Sequence, residues 1–354
     1  GSSACSQAKS GHGSTSFRLA QAKSPRNAGP VEAAARHAAL VALLRREARA
    51  GVVPFARLVE AALYAPGLGY YVAERARVGK AAGTDFTTAA ALGPMFGELV
   101  AAAAGQLVGD LAAHALVEVG AEPGQTPFDG VAGRFAGHHV FRVGATPRLP
   151  ARSVLVANEL FDAQPFDRFI FQDGAWRELG VRVDGPTLAP EVLPAFTDPA
   201  APAFVAGLPA AEEGWIIDVP FAAERLLAQL VAGGWTGAVI FLDYGKTVAQ
   251  CLESSPAGTA RAYYRHQLSG DILTRLGSQD LTCHVLWDRL EPVLRAAGFR
   301  PALDRQEAFF VKHAAGAMER IAASGDPEAT GRLRALTHPA HFGSKFQVLH
   351  GVRP

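Results

Sequence analysis

Apolar residues recur along the chain with two different periods, and the change from one to the other marks the elements. Residues 31–50 place Val31, Leu40, Val41, Leu43 and Leu44 at near-helical spacing with Gly51 as a stop, which predicts an amphipathic helix. Pro54 suits the first turn of a second helix carrying Phe55, Leu58, Val59 and Leu63. A Pro- and Gly-rich turn with an aromatic pair follows at 64–71, then a Gly-containing loop at 79–88 and a helix over 94–108. Beyond it, short unbroken apolar runs alternate with helical patterns. Residues 117–119, 154–157, 215–217, 238–242 and 346–349 read as strands, and 221–232 and 287–297 as helices. This alternation predicts an α/β fold with a doubly wound, mostly parallel sheet. The Pro-rich segment 186–208 reads as an insertion or linker on the substrate side. The expected organisation is an arm over 1–30 and a single domain over 31–354. That domain would have a helical N-terminal cover (31–110) and an insertion at about 165–215.

Composition narrows the function classes. A chain of 354 residues that is 49% hydrophobic and 19% charged can bury a sizeable core. Its net charge of +1 gives no global pull toward nucleic acid or an anionic membrane, and no apolar run reaches the length of a membrane span. Cys5, Cys251 and Cys283 form neither a zinc pattern nor a disulfide framework, so a reducing compartment such as the cytoplasm is expected. Residues 1–30 hold Lys9, Arg18, Lys23 and Arg26, many serines and no acid, as a transit peptide or a disordered arm would; disorder is the favoured reading. His12 and the His138-His139 pair lack partners at ligand spacing, so no metal site is predicted.

Three strand ends carry chemistry. Glu118 precedes a turn containing Gly120 and Gly124, where backbone amides can approach an anionic group. The apolar run 154–157 stops on Asn158 and Glu159, with Asp162 three residues later, as a buried parallel strand would deliver polar groups into a crevice. Helix capping is the plainer reading of Asn158 and Asp162. Asp243 and Tyr244 end the third strand; Asp243 could simply bond backbone amides, and His284 could be a satisfied core histidine. The glycine turn is itself altered. Glu122 sits at its middle position and Pro123 removes an amide donor.

Several motifs in order resemble the MidA-like S-adenosylmethionine-dependent methyltransferases, a family that includes a mitochondrial arginine methyltransferase of respiratory complex I assembly. They are Leu63-Tyr64-Ala65-Pro66 with Gly69-Tyr70-Tyr71, and Gly83-Thr84-Asp85-Phe86-Thr87-Thr88 with Phe96-Gly97-Glu98. Asn158-Glu159-Leu160-Phe161-Asp162-Ala163-Gln164-Pro165, Asp243-Tyr244-Gly245, Arg261-Ala262-Tyr263-Tyr264-Arg265-His266 with Gln279-Asp280-Leu281-Thr282-Cys283-His284-Val285, and Phe346-Gln347-Val348-Leu349 follow. The resemblance implies a Rossmann-like methyltransferase sheet and S-adenosylmethionine as methyl donor. It implies cofactor contacts from Asp85, Thr88, Glu118, Gly120 and Gly124. Asn158, Glu159 and Asp162 would be catalytic, and Asp243, Tyr244 and His284 would lie on the acceptor side. It further implies a protein side-chain nitrogen, arginine-like, as acceptor, a protein substrate or assembly partner, and a mitochondrial matrix location if residues 1–30 are a transit peptide.

The departures carry a second expectation. Glu122 stands where the family has a glycine, Arg142 where it has an acid placed for the ribose, and Ala90-Ala91 where it has Pro-Glu. If 139–143 and 153–157 are strands of one parallel sheet, the link between them is too short for the usual helical crossover. One helix and one strand are then missing. Residues 121–150 are therefore not expected to form an ordinary adenosine site, and affinity for S-adenosylmethionine is expected to be weak or absent. The readings left open are an active methyltransferase with a drifted cofactor turn, and a silent methyltransferase fold serving as an interaction or assembly factor. A local scrambling of 121–150 by a reading-frame error would also fit.

Overall fold

The computed structural model describes residues 30–72, 93–122, 124, 126–145, 147–265, 267–338, 343 and 345–354. The arm 1–29, the loop 79–88 with Asp85 and Thr88, and Pro123 lie outside them. Six strands form the main sheet: β1 (Ala115–Val119), β2 (Gly137–Phe141), β3 (Arg152–Asn158), β4 (Thr236–Asp243), β5 (Arg300–Arg305) and β6 (Gln347–Arg353). Their order is β5-β6-β4-β3-β1-β2. The pairs β2/β1, β1/β3 and β3/β4 are parallel, and β6 runs antiparallel between β4 and β5.

The apolar runs fix this arrangement because the central strands are covered on both faces. Along β3, Val154 and Val156 pack on one side and Leu155 and Ala157 on the other; β4 divides in the same way, Ile240 and Leu242 against Val239 and Phe241. Helices Pro94–Val108, Gln306–Ala323 and Pro327–Thr337 cover the first face, and Phe221–Val231 and Trp287–Ala296 the second. β2 is a partly exposed edge strand. The ten residues 142–151 that lead from it across β1 to β3 hold no helix among the described residues.

Two expectations about the insertion are corrected. Residues 186–208 are not a linker: Thr187–Val192 pairs antiparallel with Ala175–Asp184, and Ala201–Ala206 is a helix. The strand expected at 215–217 spans Ile216–Val219 and runs antiparallel to Asp167–Gln172, away from the parallel sheet. With Val52–Pro54 these segments make a second, antiparallel sheet. Its alternating side chains, such as Phe169, Phe171 and Ile217, build a separate core that periodicity within one strand could not assign to either sheet. Helices Pro30–Glu47 and Phe55–Tyr64 pack against this second sheet, whereas Pro94–Val108 belongs to the main one.

Gly97 shows how close the packing runs beside the glycine turn. A Cβ there would lie 2.1 Å from the Pro127 carbonyl oxygen. Gly97→Ala is expected to destabilise the chain by at least about 2 kcal/mol, because backbone on both sides has to move. A lower urea midpoint with an unchanged slope would show it.

Candidate functional site

The parallel strands β1, β3 and β4 all end at one edge, where β3 closes on Asn158 and β4 on Asp243, and β1 carries Glu118 one residue before its end. At β4, the Asp243 carboxylate is completely buried and accepts the amides of Phe161 (2.9 Å), Asp162 (3.2 Å) and Tyr244 (2.8 Å). It thereby fastens the turn after β3 to the end of β4. Burial still pushes its pKa up to about 7, against the opposing pull of those amides.

Within that turn Glu159 has φ +53°, a left-handed conformation that a glutamate adopts at some cost, and its amide donates to the Leu242 carbonyl. Its carboxylate accepts from Asn158 Nδ2 at 3.0 Å and from the Tyr244 hydroxyl at 3.2 Å. The Tyr244 ring lies 4.4 Å from Phe346. Asp162 is buried, and its pKa is driven well above the usual carboxylate range, first by desolvation and then by Asp243, Glu159 and Asp280. Both causes favour the neutral form of Asp162, and a cation beside it would favour the charged one.

Residues that sequence reasoning did not single out complete this cluster. The Tyr71 hydroxyl donates to Asp280 at 3.0 Å, and Tyr64, whose hydroxyl bonds the Ala163 carbonyl, stacks on Tyr71. Burial first, and then the neighbouring Asp162, Asp280 and Glu159, raise the pKa of Tyr263. The Tyr70-Tyr71 pair was a visible signal; the approach of Asp280 was not. The structure brings Asn158, Glu159, Asp162, Asp243 and Tyr244 together. His284 stands apart: its pKa falls to about 4 through burial and the neighbouring Lys246 and Arg261, and its Nδ1 has no partner.

On the other side of β3, Glu118 is only 7% exposed at the end of β1, and its Oε2 has no hydrogen-bond partner. Gly120 follows with φ +82°, so close to Leu160 that a Cβ would sit 3.0 Å from its Cδ1. Gly124 is exposed, with open space where a Cβ would be. Arg142 does not face an empty ribose pocket. Its guanidinium donates to the carbonyls of Glu122 (3.3 Å) and Gly124 (3.1 Å), so it clasps the turn from the edge strand. Replacing it by an acid would undo that clasp, a consequence the sequence comparison missed.

Burial pushes the Glu118 pKa up to about 7. As pH rises from the unfolded value of 4.5 through about 7, the native chain must release a proton that burial favours, so stability is lost over that window. Glu118→Gln should match the wild type near pH 4. At pH 8 it should be the more stable chain by on the order of 3 kcal/mol, measured by denaturation at both pH values.

Comparison with known proteins gives a consistent set of likenesses. The model of a family of S-adenosyl-L-methionine-dependent methyltransferases matches residues 112–303. The protein arginine methyltransferase NDUFAF7, mitochondrial, of Danio rerio is 26% identical over 216 residues, 55% of this chain. The match spans 46% of that protein, less than half its length. A crystal structure of a superfamily member from Burkholderia thailandensis, bound to S-adenosyl-homocysteine, is 27% identical and covers 94% of this chain and 95% of its own, with a TM-score of 0.79. A native crystal structure from the same superfamily and organism gives 26% identity, the same coverage and a TM-score of 0.77.

Proposed function

Since the chain belongs to the family of S-adenosyl-L-methionine-dependent methyltransferases, we propose that it methylates a guanidinium nitrogen of an arginine on a partner protein. One observation carries this reading. Two buried acceptor oxygens, Glu118 Oε2 and Asn158 Oδ1, lack a hydrogen bond at the ends of the adjacent strands β1 and β3, and the first has only a 3.7 Å contact from His138 Nε2. Orphaned acceptors of this kind are costly unless a ligand supplies donors. S-adenosylmethionine has such donors in its ammonium and ribose hydroxyls, and when bound it supplies an electrophilic methyl group on sulfur. Glu118, Gly120, Gly124 and Asn158 would hold it; Asp85 and Thr88 are assigned to the same role by their motif.

The acceptor side follows from charge. Glu159, Asp162 and Asp280 crowd carboxyl groups among the aromatic faces of Tyr71, Tyr244 and Tyr263. A guanidinium relieves the desolvation and the like-charge repulsion together, and its planar fork suits carboxylates and aromatic rings. Glu159 orients the guanidinium, Asp162 ionises as it enters, and Tyr244 fixes the Glu159 carboxylate. Alignment and exclusion of water are then the main contributions, and the guanidinium proton can leave late toward Glu159. The likeness to the arginine methyltransferase supports this acceptor. Its mitochondrial name, with the cationic, acid-free segment 1–30, supports a matrix location.

A second reading, a silent fold kept as an assembly factor, is favoured by the edge position of β2 and by Arg142 in place of an acid. Calorimetry with S-adenosylmethionine and S-adenosylhomocysteine separates the two. We expect one site per chain, of low affinity because of the altered adenosine end; no heat with either compound would favour the assembly factor. Glu159→Gln and Asp162→Asn should leave that binding in place. Each should slow methyl transfer to arginine-containing peptides by about 100-fold, as misplacement of the acceptor would. Unchanged transfer in both variants would remove the acceptor assignment.

A further inference from the structure

At the outer edge of the main sheet three potential ligands from three elements converge. Asp304 lies on β5, His350 on β6 and His313 on the helix Gln306–Ala323 that covers them. One ligand atom from each lies within 4.8 Å of the others. His350 is buried on an otherwise apolar strand face, next to Val348, and its Nε2 is 3.0 Å from Asp304 Oδ2. The His313 Nε2 is buried and has no hydrogen-bond partner. Its ring is held between Phe309 and His350, each 5.1 Å away centre to centre. Directly after it the helix is interrupted at Ala314, with φ −133° and ψ 18°. An orphaned imidazole nitrogen and a broken helix fall at one point, beside a buried histidine whose hydrogen bond to Asp304 already joins two of the three groups.

We propose that Asp304, His313 and His350 form a site for a divalent transition ion of the zinc class, with water as fourth ligand. Two imidazoles and a carboxylate are a set such ions accept, with ligand bonds of about 2.0–2.2 Å. Tetrahedral coordination then asks for donor atoms roughly 3.3 Å apart, so separations of up to 4.8 Å close by up to about 1.5 Å while the Asp304–His350 pair, at 3.0 Å, opens slightly. Burial keeps both histidines on the neutral, ligating side of their titration, and Asp304 is held ionised by His350 and Lys312 despite partial burial. On binding, the Nε2 proton that His350 shares with Asp304 is transferred through solvent to Nδ1, and the freed Nε2 takes the ion. The exposed Lys312 ammonium, now 3.6 Å from Asp304, yields to solvent. The ion would pin the kinked helix to β5 and β6. Sequence spacing could not reveal it, since each ligand comes from a different element.

The test uses the full chain stripped with a chelator and titrated with Zn2+ alone. One equivalent should bind with a Kd on the order of 1 µM or tighter and raise the melting temperature. His313→Ala and Asp304→Asn, both at partly exposed positions and checked for folding by circular dichroism, should each weaken binding by at least about tenfold. Co2+ should give the visible bands of a four-coordinate ion in the wild type and lose them in both variants. Exposed His139→Ala should change nothing. Absence of saturable Zn2+ binding by the wild type would overturn the proposal. So would binding that survives both substitutions, or that falls as much in His139→Ala.

Discussion

The buried carboxylate of Asp243 is the fixed point of this molecule. Three amides, from Phe161, Asp162 and Tyr244, converge on it and join the end of β4 to the turn after β3. An isolated charge at that depth would be unaffordable, and three donors make it tolerable. Because those donors belong to the turn that carries Glu159 and Asp162, the interaction that satisfies Asp243 also aims the candidate catalytic groups. The left-handed backbone at Glu159 is a local cost of the same arrangement. The plainer reading of Asp243, a carboxylate bonding backbone amides, is thus the one the geometry displays.

Around that point the chain concentrates acid where little water reaches. Desolvation and the neighbouring Asp243, Glu159 and Asp280 all disfavour a charge on Asp162. On the other side of β3, Glu118 faces the glycine turn with an oxygen unpartnered. A strand edge with acceptors lacking hydrogen bonds on one side and crowded carboxyl groups on the other is poorly satisfied alone. It is well matched to two ligands, one rich in donors and one cationic.

Much of this was legible in the sequence, and the limits have physical causes. The runs 154–157 and 238–242 announced strands buried on both faces, and the polar residues closing them fell at the sheet edge where ligands bind. The short link after the second strand was read as a missing helix and strand, and among the described residues β2 is the edge of the sheet with no helix between it and β3. The second sheet escaped because its strands alternate like any half-buried strand, and alternation does not say which sheet a strand joins. Arg142 was read as a lost ribose contact, because its partners are backbone carbonyls that no motif records. Asp280 and Tyr263 come from a separate three-stranded sheet whose approach to Asp162 is set by tertiary packing.

Hydrogen–deuterium exchange with and without saturating S-adenosylhomocysteine tests the central claim most directly, because it reports where the ligand lies as well as whether it binds. Protection is predicted in two segments: residues 117–124, at the end of β1, and residues 157–162, after β3. The second sheet and the outer edge at β5 should exchange unchanged. Protection confined to other regions, or none at a concentration that saturates binding, would contradict a cofactor site built from Glu118, Gly120 and Asn158.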